Sequence, residues 1–228
     1  MKKAFTLAEV LITLVIIGVV AALTIPNLMQ KYTEQTTVKK VQKFYSNLSN
    51  AYNLAMKENG PASEWDITGM NAASAIKINE MLFKPYFKIA KDCGTYNLTG
   101  NCIKNTMYKT LSNADWYNYN LTVYYKMVLE DGSAVWFRGG EDIAIFYDAN
   151  GIKEPNQWGK DLFVFYIKNG KIFPAGIQSG EYSMDAFDSN CNTTTVGKGC
   201  AAWVIYKGNM DYLHCDGLTW NSRSCKDK

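Results

Sequence analysis

The first apolar run of the chain, from Phe5 to Ile25, is interrupted only by Thr6, Glu9, Thr13 and Thr24. Its length matches the ~20 residues that cross a bilayer core of roughly 30 Å. Helical spacing does not stop there. Leu28, Tyr32, Val41, Phe44, Leu48, Tyr52 and Ala55 recur mostly at intervals of three or four, with Lys and Glu between them, which predicts one helix from Phe5 to about Glu58. At 1.5 Å per residue such a helix is on the order of 80 Å long, more than a membrane is thick. Pro26 falls inside it. It removes one backbone hydrogen bond and is expected to kink the helix rather than end it, because the amphipathic pattern resumes beyond. The stop comes at "NGP", residues 59–61. Residues 71–90 predict a second, shorter helix.

After Asn105 the period changes from helix to strand. The runs "LTVYYKMVL" (121–129), "SAVWFRG" (133–139), "DIAIFYD" (142–148), "DLFVFYI" (161–167) and "AAWVIY" (201–206) are rich in β-branched and aromatic residues, with "EDGS", "DANG", "KNGK" and "KGN" turns among them. They predict a small antiparallel sheet. The last run opens "AAWVIYKGNMDYLHC", which reads as a core strand and hairpin. The segment from Pro174 to Gly199 is a long connection, a functional surface or an excursion pinned by cysteines.

At 228 residues the chain is large enough to bury a core without metal support. An aromatic content of 14% agrees with a β-containing body, and a net charge of +3 is too small to indicate a nucleic-acid partner. All six cysteines follow residue 90: Cys93, Cys102, Cys191, Cys200, Cys215 and Cys225. Their close sequential pairs, with no C-x-x-C, predict disulfides in an oxidising compartment rather than a zinc or redox site. Sequential pairing, 93 with 102, 191 with 200 and 215 with 225, is the simplest of the fifteen connectivities that six cysteines allow.

Glu9 decides between three readings of the N-terminus. A cleaved secretory signal fits Lys2 and Lys3, but the apolar run is long for one. A plain anchor leaves unexplained an acidic residue that costs about 2.5–3.5 kcal/mol at membrane depth. The third reading rests on the whole stretch "KKAFTLAEVLITLVIIGVVAALTIPN". It resembles the N-terminus of type IV prepilins and of the pseudopilins of type II secretion: a short basic leader, a cleavage point before "FTLxE", then an apolar helix. The resemblance implies cleavage between Ala4 and Phe5 by a prepilin peptidase and N-methylation of Phe5. Glu9 and Pro26 then fall at the family's assembly glutamate and helix-kinking proline. Ala4 departs from the glycine usual before the cut.

The same resemblance implies an α+β fold, with the long helix packed on an antiparallel sheet and a disulfide-bonded C-terminal region. The expected division is a leader at 1–4, a transmembrane and assembly helix at 5–25, the amphipathic half of the helix at 26–60, and an extracytoplasmic body at 61–228. It also implies a structural subunit of a type IV pilus or a type II secretion pseudopilus. Such a subunit's partners are other pilin or pseudopilin subunits, the peptidase and an inner-membrane assembly platform. Lys31, Lys39, Lys40 and Lys43 oppose a cytoplasmic N-terminus on the positive-inside count. The cysteines arbitrate for a body outside the cytoplasm. The rival is a secreted or membrane-tethered enzyme or binding domain that uses the N-terminus only for export.

Candidate chemistry in the body is sparse. "DANGIKEPNQWGKD" (148–161) begins with the D-x-N-G of oxygen-ligand calcium loops, making Asp148, Asn150 and Asp161 candidate calcium ligands. The competing reading is a tight hairpin in which Asp and Asn satisfy the turn's own amides. The one histidine, His214, stands beside Cys215, and no nucleophile elbow, metalloprotease motif or phosphate loop occurs. No enzymatic activity and no required cofactor are expected.

Overall fold

The computed structural model describes residues 6–96, 102–178 and 185–227. Helix α1 runs from Leu7 to Asn59 and passes through Pro26 without interruption. The chain divides into two compact units, Met1–Thr36 and Thr37–Lys228.

In the first unit the helix carries its apolar side chains on every side. Val10, Leu11, Ile12 and Leu14, which point in different directions round the helix, are all exposed, so no stripe is reserved for a core of its own. Thr13 and Thr24 turn their hydroxyls back onto the carbonyls of Val10 and Val20, at 2.9 Å each, which satisfies them without water. This helix is long and apolar enough to cross a membrane.

The second unit is built on a six-stranded antiparallel sheet. Its strands are β1 (Ile89–Gly94), β4 (Tyr125–Leu129), β5 (Ala134–Arg138), β6 (Ile143–Asp148), β7 (Leu162–Lys168) and β8 (Lys171–Pro174), in the order β1-β4-β5-β6-β7-β8. A small second sheet pairs β2 (Tyr108–Lys109) with β3 (Asp115–Tyr117). Both faces of the large sheet are covered, so its central strands read as continuous apolar runs rather than alternating ones. One face presents Met127, Val135, Phe137, Ile145, Tyr147, Phe163 and Phe165 to Val41, Phe44, Leu48 and Tyr52 of α1. Helix α2 (Ala72–Ile78), capped by Asn71 and continued by a π-helical turn at Asn79–Phe83, joins the same core through Ile78, Leu82 and Phe83.

The other face presents Trp136, Ala144, Phe146 and Val164, which are covered by Tyr108, Tyr119, Tyr124 and Trp158. These rings form a close aromatic cluster in which Trp136 stacks on Phe146 at 5.7 Å. The covering segment is tied down by Lys126, fully buried in β4, whose Nζ donates to the carbonyls of Thr95, Leu121 and Tyr124 at 2.8, 2.7 and 3.0 Å. Burial lowers this lysine to about 8. Lys126→Met should lower the unfolding free energy by roughly 2–5 kcal/mol, because the carbonyls of Thr95 and Tyr124 lose a buried donor. Urea denaturation with unchanged m-value checks this.

The structure closes three disulfides, Cys93–Cys102, Cys191–Cys200 and Cys215–Cys225. Residues 201–206 correct the strand expectation. They lie in α4 (Cys200–Lys207), whose C-cap, Gly208, takes the left-handed conformation at φ 71°. A helix wins because Ala201, Ala202, Trp203 and Val204 are all buried, and Trp203 stacks on Phe187 of α3 (Phe187–Asn190) at 4.4 Å. The expected hairpin beyond it is a 3-10 turn at Asp211–Leu213. Strands β1, β2, β3 and β8 lie outside the runs singled out in the sequence.

Candidate functional site: the N-terminal helix and the β6–β7 connection

Two places in the chain carry candidate chemistry, one in each unit. At the start of α1, Thr6 and Glu9 form a reciprocal pair. Glu9 Oε2 accepts from both the Thr6 amide and the Thr6 hydroxyl at 2.8 Å, and the Glu9 amide donates back to Thr6 Oγ1 at 3.3 Å. This is the capping box written in sequence as T-x-x-E, and it satisfies amides that the first turn leaves without helical acceptors. Glu9 is therefore placed at the helix start with its carboxylate folded back towards the N-terminal end. The T-x-x-E spacing is visible in the sequence, but reading Glu9 as the assembly glutamate passes over its capping role. Ala4 and Phe5, the cleavage and methylation positions, lie outside the described residues. Pro26 sits within α1 and is followed by exposed Leu28 and Met29.

The second place is the connection between β6 and β7. Asp148 ends β6 and is fully buried, and its Oδ1 accepts from the Asn150 amide at 3.2 Å, the turn bond expected of an Asx residue. Asp161, 2% exposed, accepts from two successive backbone amides, Asn156 at 2.8 Å and Gln157 at 2.6 Å. Burial drives both carboxyls upward. Asp148 stands well above the usual carboxylate range, with the charge of Asp161 as the second cause. Asp161 is pushed up to about 6. Asn150 lies between the two, donating to Glu154 O at 3.2 Å and lying near enough to Asp161 to oppose its shift.

The structure thus brings Asp148, Asn150 and Asp161 into one cluster, and adds Asn156, which the D-x-N-G spacing did not point to. Among the described residues no three or more His, Cys, Asp or Glu side chains stand close enough to hold a metal ion, so any cation here would be met by two carboxylates and neutral oxygens. His214 is exposed at the C-terminal edge of the 3-10 turn.

A largely apolar, exposed N-terminal helix opening on T-x-x-E, joined in sequence to an α+β disulfide-bonded body, fits a type IV pilin-like protein. Residues 1–25 match the prokaryotic N-terminal methylation motif, the segment at which prepilins and pseudopilins are cleaved and methylated. That motif implies assembly with other pilin subunits and processing by a prepilin peptidase. Residues 27–196 match the family of unknown function DUF6613, and the chain belongs to that family. No curated protein and no solved structure matches it.

Proposed function

We propose that this chain is a structural subunit, a pseudopilin or minor pilin, of a type II secretion pseudopilus or a type IV pilus. A prepilin peptidase removes residues 1–4, and Phe5 becomes the methylated first residue. The mature helix holds the subunit in the inner membrane with its N-terminus cytoplasmic and its body outside, until an assembly platform draws it into the filament. The observation that carries this reading is the helix of the first unit, apolar and exposed all round, with a carboxylate held at its start. Identical apolar rods leaving a bilayer must bury one another or meet water. A filament core is the structure in which they do so.

Glu9 then offsets the cationic amine that cleavage creates on Phe5, its own or a neighbour's. The three disulfides support a body outside the cytoplasm. The body serves as a surface and not as a catalyst. Its size and long connections favour a minor or specialised subunit over the bulk repeat of a filament. Tagged protein should be found along filaments sheared from cells, and its confinement to the membrane fraction under conditions that yield filaments would contradict the reading.

A further inference from the structure

The three disulfides sit in unlike surroundings. Cys93–Cys102 and Cys191–Cys200 each have a partner sealed from solvent, Cys102 in the first and both cysteines in the second. Cys191–Cys200 also lies in the core cluster with Phe187 and Trp203, and it joins the end of α3 to the first residue of α4. In Cys215–Cys225 neither cysteine is buried. A disulfide exchanges with a thiolate that reaches one of its sulfurs, so access favours this bond over the other two.

The loop that Cys215–Cys225 closes covers α3 and α4. Its Trp220 packs on Phe187 at 6.1 Å and on Tyr206 at 6.0 Å. The Lys207 ammonium stands over the Trp220 ring at 5.0 Å and over the Trp203 ring at 5.6 Å. Beneath, Phe187 and Trp203 stack on each other and are fully buried. The Trp220 amide donates to Asp188 Oδ1 at 2.6 Å, and the Cys225 amide to Asp211 Oδ2 at 2.9 Å. Residues 214–224 hold no strand and no helix, so no backbone ladder closes the loop and the covalent bond is its main constraint.

What lies under the loop reaches α1. Gln42 Nε2 donates to the carbonyls of Val204 and Ile205 at 3.4 and 3.3 Å. The next two residues of α4, Tyr206 and Lys207, are those that hold Trp220. Loop, α4 and the amphipathic half of α1 are thus joined in series.

We propose that Cys215–Cys225 is a thiol-exchange site, a latch that a partner carrying a dithiol opens, baring the Phe187–Trp203 surface and loosening the hold of α4 on α1. One thiolate of the dithiol attacks a sulfur of the pair, giving a mixed disulfide and releasing the other cysteine as a thiolate. The second thiol of the partner then displaces the cysteine still attached. The 215–225 bond is broken, a disulfide forms in the partner, and two electrons and two protons pass to the cysteines. Reoxidation closes the latch. Cys191–Cys200, sealed in the core, stays shut while the fold lasts.

The test treats the full-length chain in detergent micelles with rising concentrations of dithiothreitol, blocks freed thiols by alkylation and locates them by mass spectrometry. Cys215 and Cys225 should be alkylated at least tenfold faster than Cys93, Cys102, Cys191 and Cys200. At that stage the far-ultraviolet circular dichroism should be unchanged, tryptophan emission should shift to the red as Trp220 leaves α4, and a hydrophobic dye should gain fluorescence several-fold. Reoxidation should reverse both signals. The double variant Cys215→Ser with Cys225→Ser should bind the dye without reductant. Should it fail to fold, Trp220→Ala, which keeps the bond, should bind the dye in the same way. Release of another pair first or together with this one, or loss of the circular dichroism as this bond opens, overturns the proposal. Selective release with unchanged emission and dye binding also overturns it, leaving an accessible disulfide that covers nothing.

Discussion

Glu9→Leu should yield a chain that is cleaved, stays in the membrane and is absent from filaments when it is the sole copy. On insertion alone the substitution is favourable, since it removes a charge that costs about 2.5–3.5 kcal/mol at membrane depth. Assembly pulls the other way. Without Glu9 the Phe5 amine of each subunit stands uncompensated among apolar helices, and breaking such a buried pair costs about 3–5 kcal/mol. That cost repeats at every subunit. The capping box adds a smaller loss, about 1 kcal/mol, because Glu9 Oε2 no longer receives the Thr6 amide and hydroxyl.

Glu9→Gln separates these effects. Glutamine serves in a capping box as glutamate does, so this variant keeps the helix start and loses only the charge. If charge pairing governs assembly, filaments should be lost in both variants. If the cap governs, Glu9→Gln should assemble and Thr6→Ala should fail. Quantifying each variant in the sheared-filament and membrane fractions reads out the difference. Wild-type incorporation of Glu9→Leu would remove Glu9 from the assembly account.

Phe44→Ala should strongly destabilise the second unit. Phe44 is 3% exposed on α1 and stacks on Tyr147 of β6 at 4.1 Å, with Phe165 and Phe87 at 5.5 and 5.9 Å. With Val41, Leu48 and Tyr52 it seats the amphipathic half of the helix on the sheet. Truncation removes the ring's burial and leaves a cavity whose walls are other rings, for which large-to-small aromatic changes cost about 3–5 kcal/mol. Out of a typical stability of ~5–15 kcal/mol this is a large fraction. Thermal or urea unfolding of the purified chain should show the loss, and Phe44→Leu should recover most of it. An unchanged midpoint would mean that this contact between helix and sheet is replaceable.

The elements legible in the sequence are those whose burial repeats with a period. Val41, Phe44, Leu48, Tyr52 and Ala55 mark one face of α1 at helical spacing, and that face is the buried one. The runs at 121–129, 133–139, 142–148 and 161–167 are continuous because both sheet faces are covered. The elements missed lack such a signal. Strand β1 reads "IAKDCG", with Lys91 and Asp92 at an edge and breaks in its register, so composition argues against it. Strand β8 has four residues, and β2 has two.

Helix α4 went the wrong way because Trp, Val, Ile and Tyr favour strands on average, while packing decides the individual case. Its small residues, Ala201 and Ala202, and the glycine ending it at Gly208 were the available helix signals. In the β6–β7 connection the sequence pointed to Asp148, Asn150 and Asp161 through their spacing. It could not point to Asn156, whose place in the cluster depends on how the turn folds back so that its amide meets Asp161.

The central claim, that this is a processed pilin-like filament subunit, is tested most directly by mass spectrometry of the mature N-terminus in purified membranes or filaments. The account predicts a chain that begins at Phe5 and carries a methyl group on its amine. An intact Met1, or a cut near Ala22, would contradict it.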